Sequence, residues 1–228
     1  MDALVKSLKA DMNVETVFKI PIFGGIPVYE SVVVTWIIIA AVLIVCLLLT
    51  RNLSVEHPGK RQIALESFIE WLYKFFGETI GEKGKRYVPY LVSVLIYIAI
   101  SNLIGIIGFK PPTKDMNVTV ALSLMSIVLI EASGVIEKGP KRFAHSFAEP
   151  MPIITPINIL EIFIRPLSLC MRLFGNVLGS FVIMELLKYV VPVVLPALAS
   201  LYFDIFDGLI QAYVFVFLTS LFIRESVE

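Results

Sequence analysis

The chain has 228 residues, of which 57% are hydrophobic and only 17% are charged. Soluble domains have about 45–50% apolar and about 25% charged residues, so this composition is typical of a protein that crosses a membrane several times. Lysine and arginine together number 19, as do aspartate and glutamate, which gives a formal net charge of zero. Without a basic field that could attract a polyanion, a nucleic-acid partner is excluded.

The sequence also lacks the common signatures of metal sites and of nucleotide hydrolysis. The patterns CxxC, HExxH and GxxxxGK[ST] do not occur, so we expect no metal, no cofactor and no catalytic chemistry by this chain alone. Residues 1–30 contain no apolar core followed by a cleavage site. We therefore interpret them as an N-terminal tail rather than as a signal peptide.

Three uncharged or nearly uncharged segments predict the first membrane spans. Ser31 to Thr50 is a run of 20 residues, which at about 1.5 Å per residue crosses a hydrocarbon core about 30 Å thick. Tyr87 to Phe109 predicts a second span, and Met116 to Ile136, interrupted by Glu131, a third. Residues 58–83 carry apolar side chains on one helical face with charges off it, which predicts an amphipathic helix lying in the membrane interface.

Two further helices, at about residues 155–190 and 196–224, are predicted to be long and tilted. The predicted fold class is therefore an all-α polytopic membrane protein, with five membrane-crossing helices and one interfacial helix in a single domain, residues 31–228. The connections on one side of the membrane contain eleven of the 19 lysines and arginines, against six on the other. By the positive-inside rule, the tail is outside and the C-terminus is cytoplasmic.

Charged and polar residues occur at membrane depth in the last two helices. A charge near the bilayer centre costs about 2.5–3.5 kcal/mol on insertion scales, so each such residue is a functional hypothesis. Helical spacing places the polar residues of each helix on one face. Facing stripes of this kind can line an aqueous path; the alternative is interhelical hydrogen bonding without a path. The residues of the two stripes are Ser168, Arg172, Asn176 and Ser180 on the first helix, and Asp204, Asp207 and Gln211 on the second.

Arg172 most needs a partner. The nearest acids on its own helix, Glu161 and Glu185, are about 16 and 20 Å away along the axis. A guanidinium remains protonated under essentially all conditions, so Arg172 cannot avoid the cost of a charge in the membrane by losing its proton. Its partner is a carboxylate on another helix or on another subunit. The alternative within this chain is an ion pair with Glu131 or Asp207 that serves packing only.

The remaining charges divide between the two predicted sides of the membrane. Glu185, Asp204 and Asp207 lie toward the outer side, whereas Glu161 and Arg165 lie toward the inner side. Two wet vestibules separated by the fixed charge of Arg172 would move a cation without letting it leak.

At these residues the sequence resembles a known family. The segment IRPLSLCMRLFGNVLGS, from Ile164 to Ser180, resembles the signature of subunit a of the F-type ATP synthase membrane sector. Residues 102–122 (NLIGIIGFKPPTKDMNVTVAL) and 58–71 (PGKRQIALESFIEW) resemble two further blocks of that family. The resemblance extends from about residue 55 to the C-terminus.

The resemblance implies a stator subunit that provides two aqueous half-channels to the carboxylates of a rotating ring of c subunits. Arg172 matches the family's essential arginine, which prevents an ion short circuit. The implied partners are the ring, the peripheral stalk subunit b, other ATP synthase subunits and membrane lipid, in an energy-coupling membrane such as the bacterial plasma membrane. The implied ion is the proton, with a sodium-translocating version as the alternative. A self-contained secondary transporter and a structural scaffold are the rival classes.

Individual residues can be matched to the family's polar positions. Ser168, Asn176 and Gln211 match positions near the family's arginine. Asp115 and Asn117 match positions in the block that residues 102–122 resemble. Many bacterial members carry a glutamate nine residues after the arginine, where this chain has Phe181. We therefore predict that Glu185, Asp204 and Asp207 jointly supply the outer half-channel acids, with Ser180 on the same path. Glu161 is assigned to the inner end of the ion path.

Overall fold

The computed structural model describes residues 16–20, 26–51, 53–54, 58–146, 155–190 and 194–227. Residues 1–15 and 21–25 of the predicted tail lie outside the described residues. The described part is almost entirely helical. Its α-helices are α1 (Glu30–Leu49), α2 (Lys60–Ile80), α3 (Val88–Leu103), α4 (Met116–Lys138), α5 (Pro140–Ser146), α6 (Thr155–Val190), α7 (Val194–Ser200) and α8 (Gly208–Val227).

Five helical segments are long and apolar enough to cross a membrane, which confirms the predicted all-α polytopic fold among the described residues. They are Glu30–Leu49, Glu82–Ile107, Met116–Lys138, Thr155–Tyr189 and Leu198–Val227. The second includes short 3₁₀ turns on either side of α3, at Glu82–Tyr87 and Ile104–Ile107. Helix α2 forms where the amphipathic pattern predicts a helix, and its position in the membrane interface stays a prediction.

A pair of strands and one short helix were not predicted. Strands β1 (Thr16–Ile20) and β2 (Ile26–Tyr29) pair as an antiparallel hairpin that leads into α1. The strand residues are mostly β-branched or aromatic, which suits paired strands. Helix α5 follows α4 after Gly139, which has a φ of 79° and so adopts a conformation that favours glycine.

Helix α8 lies at the centre of the packing. It contacts α2, α3 and α4, while α6 packs mainly on α4. The α8 side chains Phe215, Val216 and Ile223 are at most 1% exposed. Because α8 is held on several sides, the polar residues at its beginning have a fixed position relative to α3 and α6.

The last span is not one regular helix, although the sequence predicts a continuous helix over 196–224. Residues Leu201–Asp207 form a π-helix between α7 and α8. A π-helix closes its hydrogen bonds between residues i and i+5, is rare, and often occurs at functional sites. Asp204 and Asp207 both lie in this π segment, whereas Gln211 lies in α8.

Asp115 caps helix α4. Its Oδ1 accepts a hydrogen bond of 2.9 Å from the backbone N–H of Asn117, and the Asn117 side-chain amide donates to the same oxygen at 3.1 Å. Its Oδ2 accepts a bond of 2.6 Å from the Ser31 hydroxyl, so Asp115 also ties α1 to α4. Asp115 is 5% exposed. An N-cap carboxylate of this kind satisfies a helix donor that otherwise has no partner.

We expect Asp115→Ala to lower the free energy of unfolding by about 1 kcal/mol or more, because it removes the cap and the bond to Ser31. Asp115→Asn keeps a capping oxygen without the charge and should retain most of the stability. Thermal unfolding of the purified protein in detergent checks both variants. If Asp115→Asn is stable but conducts ions poorly, the carboxylate belongs to the ion path rather than to the cap alone.

Candidate functional site: the ion-path residues

A cavity of about 310 Å³ lies where α3, α6, the π segment and α8 meet. It brings together five of the residues that were predicted to lie on the ion path. The five are Ser180, Glu185, Asp204, Asp207 and Gln211, and the same wall includes Asn102, Lys110, Phe181 and Lys188. The three acids therefore face one shared space, although they come from different helices.

The three acids of the cavity differ in their partners. Glu185 pairs with Lys188 at 2.7 Å, one turn along α6. Asp204 accepts a hydrogen bond of 2.8 Å from the Ser200 hydroxyl. Asp207 has no hydrogen-bond or ion-pair partner among the residues that the structure describes, so its carboxylate is the one of the three open to a ligand from the cavity.

Gly105 makes room for Asp204. A Cβ atom at Gly105 would lie 3.2 Å from the nearer carboxylate oxygen of Asp204 and 3.4 Å from its carboxyl carbon. A side chain there would push the carboxylate away from the cavity wall. The sequence carries no direct sign of this contact, because Gly105 and Asp204 are about one hundred residues apart.

The two predicted stripes meet next to the cavity. The Asn176 side-chain amide donates to Gln211 Oε1 at 2.7 Å, and the Ser180 hydroxyl donates to the Asn176 carbonyl at 2.8 Å. Gln211 is 4% exposed, and its Nε2 has no partner in the described part of the chain. An unsatisfied buried amide costs free energy, so this donor suits a water molecule or another ligand in the cavity.

Arg172 lies two turns from Arg165 on α6, yet the two arginines have opposite surroundings. Arg165 contacts Glu161 and Glu225, each at 2.7 Å, and its guanidinium lies 5.0 Å from the centre of the Phe222 ring. Partly buried Arg172 has no ion pair within the described ranges, Glu131 and Asp207 included. The charge of Arg165 is thus compensated inside the chain and that of Arg172 is not.

The other predicted residues lie away from the cavity wall. Ser168 is exposed one turn before Arg172 on α6, Asp115 and Asn117 form the α4 cap, and Glu161 lies toward the opposite end of α6. Sequence reasoning missed Glu225 as a partner of Arg165, because the pairing spans 60 residues.

Phe181, at the position where the family resemblance led us to expect glutamate, faces a cation. The buried Lys114 ammonium lies 3.5 Å from the centre of its ring. An aromatic face attracts an ammonium, so a positive charge is accommodated beside the cavity wall. In the sequence, nothing but the position of Lys114, one residue before the capping Asp115, pointed to this contact.

Comparison with known proteins shows the family of the chain. Residues 32–224 match the family model for the ATP synthase A chain. ATP synthase subunit a of Moorella thermoacetica is 37% identical over 206 residues, which cover 90% of this chain and 94% of the relative. Subunit a 1 of Syntrophotalea carbinolica is 38% identical over 198 residues, 85% and 83% of the two chains.

A third relative is named ATP synthase subunit a, sodium ion specific, from Propionigenium modestum. It is 32% identical over 219 residues, covering 89% of this chain and 75% of the relative. The five apolar helices indicate an integral membrane protein, and the family match indicates that it belongs to an ion-transporting assembly. The chain belongs to the ATP synthase A chain family, and this membership implies association with other ATP synthase subunits.

A cysteine replacing Ser180 should react with a water-soluble maleimide, because Ser180 lines the cavity and a thiolate forms only where water is present. Ile183 lies on the same helix and is 42% exposed, but it is not part of the cavity wall. With Cys46 and Cys170 replaced by serine, Ser180→Cys should label at least about fivefold faster than Ile183→Cys in native membranes. Equal rates would show that the cavity is dry.

Proposed function

We propose that this chain is the ion-translocating stator subunit of an F-type ATP synthase. It provides two aqueous half-channels to the carboxylates of a rotating ring of c subunits, and Arg172 blocks direct passage between them. We further propose that the peripheral stalk subunit b is a second partner. The protein resides in the bacterial plasma membrane with its C-terminus in the cytoplasm.

The observation that carries this proposal is the uncompensated charge of Arg172. A cation that is taken out of water, as in a membrane, needs a partner, because its removal from water costs several kcal/mol per ion. Met171 and Leu167 beside it are 49% and 59% exposed, so this part of α6 is open to a neighbour. A carboxylate of a ring subunit that meets this surface supplies the missing negative charge.

Arg172 then controls the protonation state of the ring carboxylate. A positive charge within about 4–6 Å favours the ionised form of a carboxylate. A ring carboxylate that reaches Arg172 releases its ion to one half-channel, and it is neutralised again from the other before it enters lipid. Each unit charge that crosses the membrane releases about 2.3 kcal/mol per 100 mV, which drives rotation.

The cavity between α3, α6 and α8 is the outer half-channel in this proposal. Glu185 and Lys188 lie at one part of its wall, and Gln211 lies at another. Gln211 is bonded to Asn176, which is one turn from Arg172 on α6. Asp207, the acid without a partner, is the residue that exchanges the ion with water in the cavity. Glu161 and Arg165 lie at the inner end.

The transported ion is the proton in this proposal, since carboxylates and water suffice to conduct it. The relative named sodium ion specific makes sodium the second candidate. ATP-driven pumping in sodium-free medium separates them: retained pumping supports the proton, and pumping restored only by added sodium chloride supports sodium.

We expect Arg172→Ala to abolish ATP synthesis driven by an ion gradient in inverted vesicles, at least about 100-fold, while the complex still assembles. Arg165→Ala provides the comparison, because it removes an arginine of the same helix that is paired within the chain. Loss of its bond to Glu161 can slow the inner end of the path, but it should not abolish coupling. Its main expected effect is on stability, through the loss of contacts to Glu161 and Glu225.

Vesicles should contain equal amounts of this chain and of the ring, measured by immunoblot, before rates are compared. Retained coupling in Arg172→Ala would contradict the stator assignment and favour the scaffold reading.

A further inference from the structure

A buried amide holds the last span at the point where its helix changes type. Asn102, near the end of α3, donates from Nδ2 to the Gly208 carbonyl at 2.9 Å. Its Oδ1 accepts a bond of 2.8 Å from the Thr113 hydroxyl. Asn102 and Thr113 are 5% and 0% exposed. We call these two side chains the Asn102 clamp.

Gly208 allows the clamp to approach the helix backbone. Its φ of −60° and ψ of −41° are ordinary helical values, so a conformational need does not explain the glycine. A Cβ atom at Gly208 would lie 3.0 Å from the Asn102 Cβ, which is a close contact. The glycine therefore provides the space in which the amide reaches the carbonyl.

Gly208, the residue that the Asn102 clamp holds, lies between the π segment and α8, and both of these elements contribute to the cavity wall. Asp204 and Asp207 precede it in the π segment, and Gln211 follows it in α8. If the π segment adopted the i to i+4 hydrogen bonds of an α-helix, its hydrogen-bond register would shift by one residue. Side chains before and after the segment would then turn by about 100° relative to each other. Asp207 and Gln211 would then no longer face the same cavity.

We propose that Asn102 is a positioning residue for the outer half-channel. By fixing the Gly208 carbonyl, the clamp maintains the π segment and keeps Asp204 and Asp207 turned into the cavity. Asn102 acts through these acids and not through Arg172. This inference rests on the proposed function, because it assigns the conduction effect to the acids of the proposed outer path.

The test uses Asn102→Leu, which has similar size but cannot hydrogen bond, in the assembled complex in vesicles. We expect passive ion conduction through the membrane sector to fall about tenfold, because losing one buried hydrogen bond changes an equilibrium constant by about that factor, here the one between acids turned into the cavity and acids turned away from it. Thr113→Val, which leaves the Asn102 bond to Gly208 in place, should reduce conduction less. Ser93→Ala is the matched control, since Ser93 is on the same helix, is exposed, and bonds only to the carbonyl of Pro89.

A second readout reports where the acids point. With Cys46 and Cys170 replaced by serine, a cysteine at position 207 (Asp207→Cys) is labelled with a water-soluble maleimide, and a cysteine at position 180 (Ser180→Cys) reports the hydration of the cavity. Adding Asn102→Leu should slow labelling at 207 about fivefold or more and leave labelling at 180 unchanged. A general loss of structure would instead change both rates.

The proposal is overturned if labelling at 207 is unchanged by Asn102→Leu, or if both positions change together. Should Asn102→Leu fail to assemble, the same comparison with Gly208→Ala decides, because its Cβ atom would lie 3.0 Å from the Asn102 Cβ and push the amide away. Slower labelling at 207 alone supports the proposal, and unchanged labelling at 207 overturns it. Asp207→Asn tests the proposed function separately. If it conducts normally, the acid has no role in the path, while the labelling result still decides whether Asn102 positions it.

Discussion

A permanent positive charge at membrane depth is the constraint on which this protein depends. Arg172 cannot be neutralised by losing its proton, and the described part of the chain offers it no carboxylate. Arg165, two turns away, shows that the same helix can compensate an arginine internally, through Glu161 and Glu225. Within the described residues the charge of Arg172 therefore lacks a carboxylate partner, and we propose that a ring carboxylate supplies it.

The three acids of the cavity differ in how far their charges are already partnered. Glu185 is paired with a lysine and Asp204 with a hydroxyl donor, whereas Asp207 has no partner in the described residues. A carboxylate without a fixed partner can exchange an ion most readily, so in our proposal Asp207 accepts the ion while Glu185 and Asp204 shape the field. The Asn102 clamp connects this division to the backbone, because it holds the helix junction between Asp207 and Gln211.

Hydropathy was sufficient to predict the five spans, since the length of an apolar run decides whether it can cross a bilayer. Helical spacing likewise predicted that Asn176 and Gln211 lie on facing stripes, and these two side chains are hydrogen-bonded. The π segment at Leu201–Asp207 was not predictable from local pattern, because the contact at its end comes from Asn102, about one hundred residues earlier. Asp115 shows a different limit: a carboxylate in a family block can cap a helix, and the sequence alone does not distinguish that role from ion conduction.

The most direct test of the account is a structure of the assembled ATP synthase membrane sector in which the carboxylate nearest to the Arg172 guanidinium is identified. The account predicts a ring carboxylate within about 6 Å, directly or through one water molecule, in at least one rotational position. It also predicts that Glu161 and Glu225 remain with Arg165. A complex in which Glu131 or Asp207 of this same chain pairs with Arg172, and in which every ring carboxylate stays distant in all rotational positions, would contradict it.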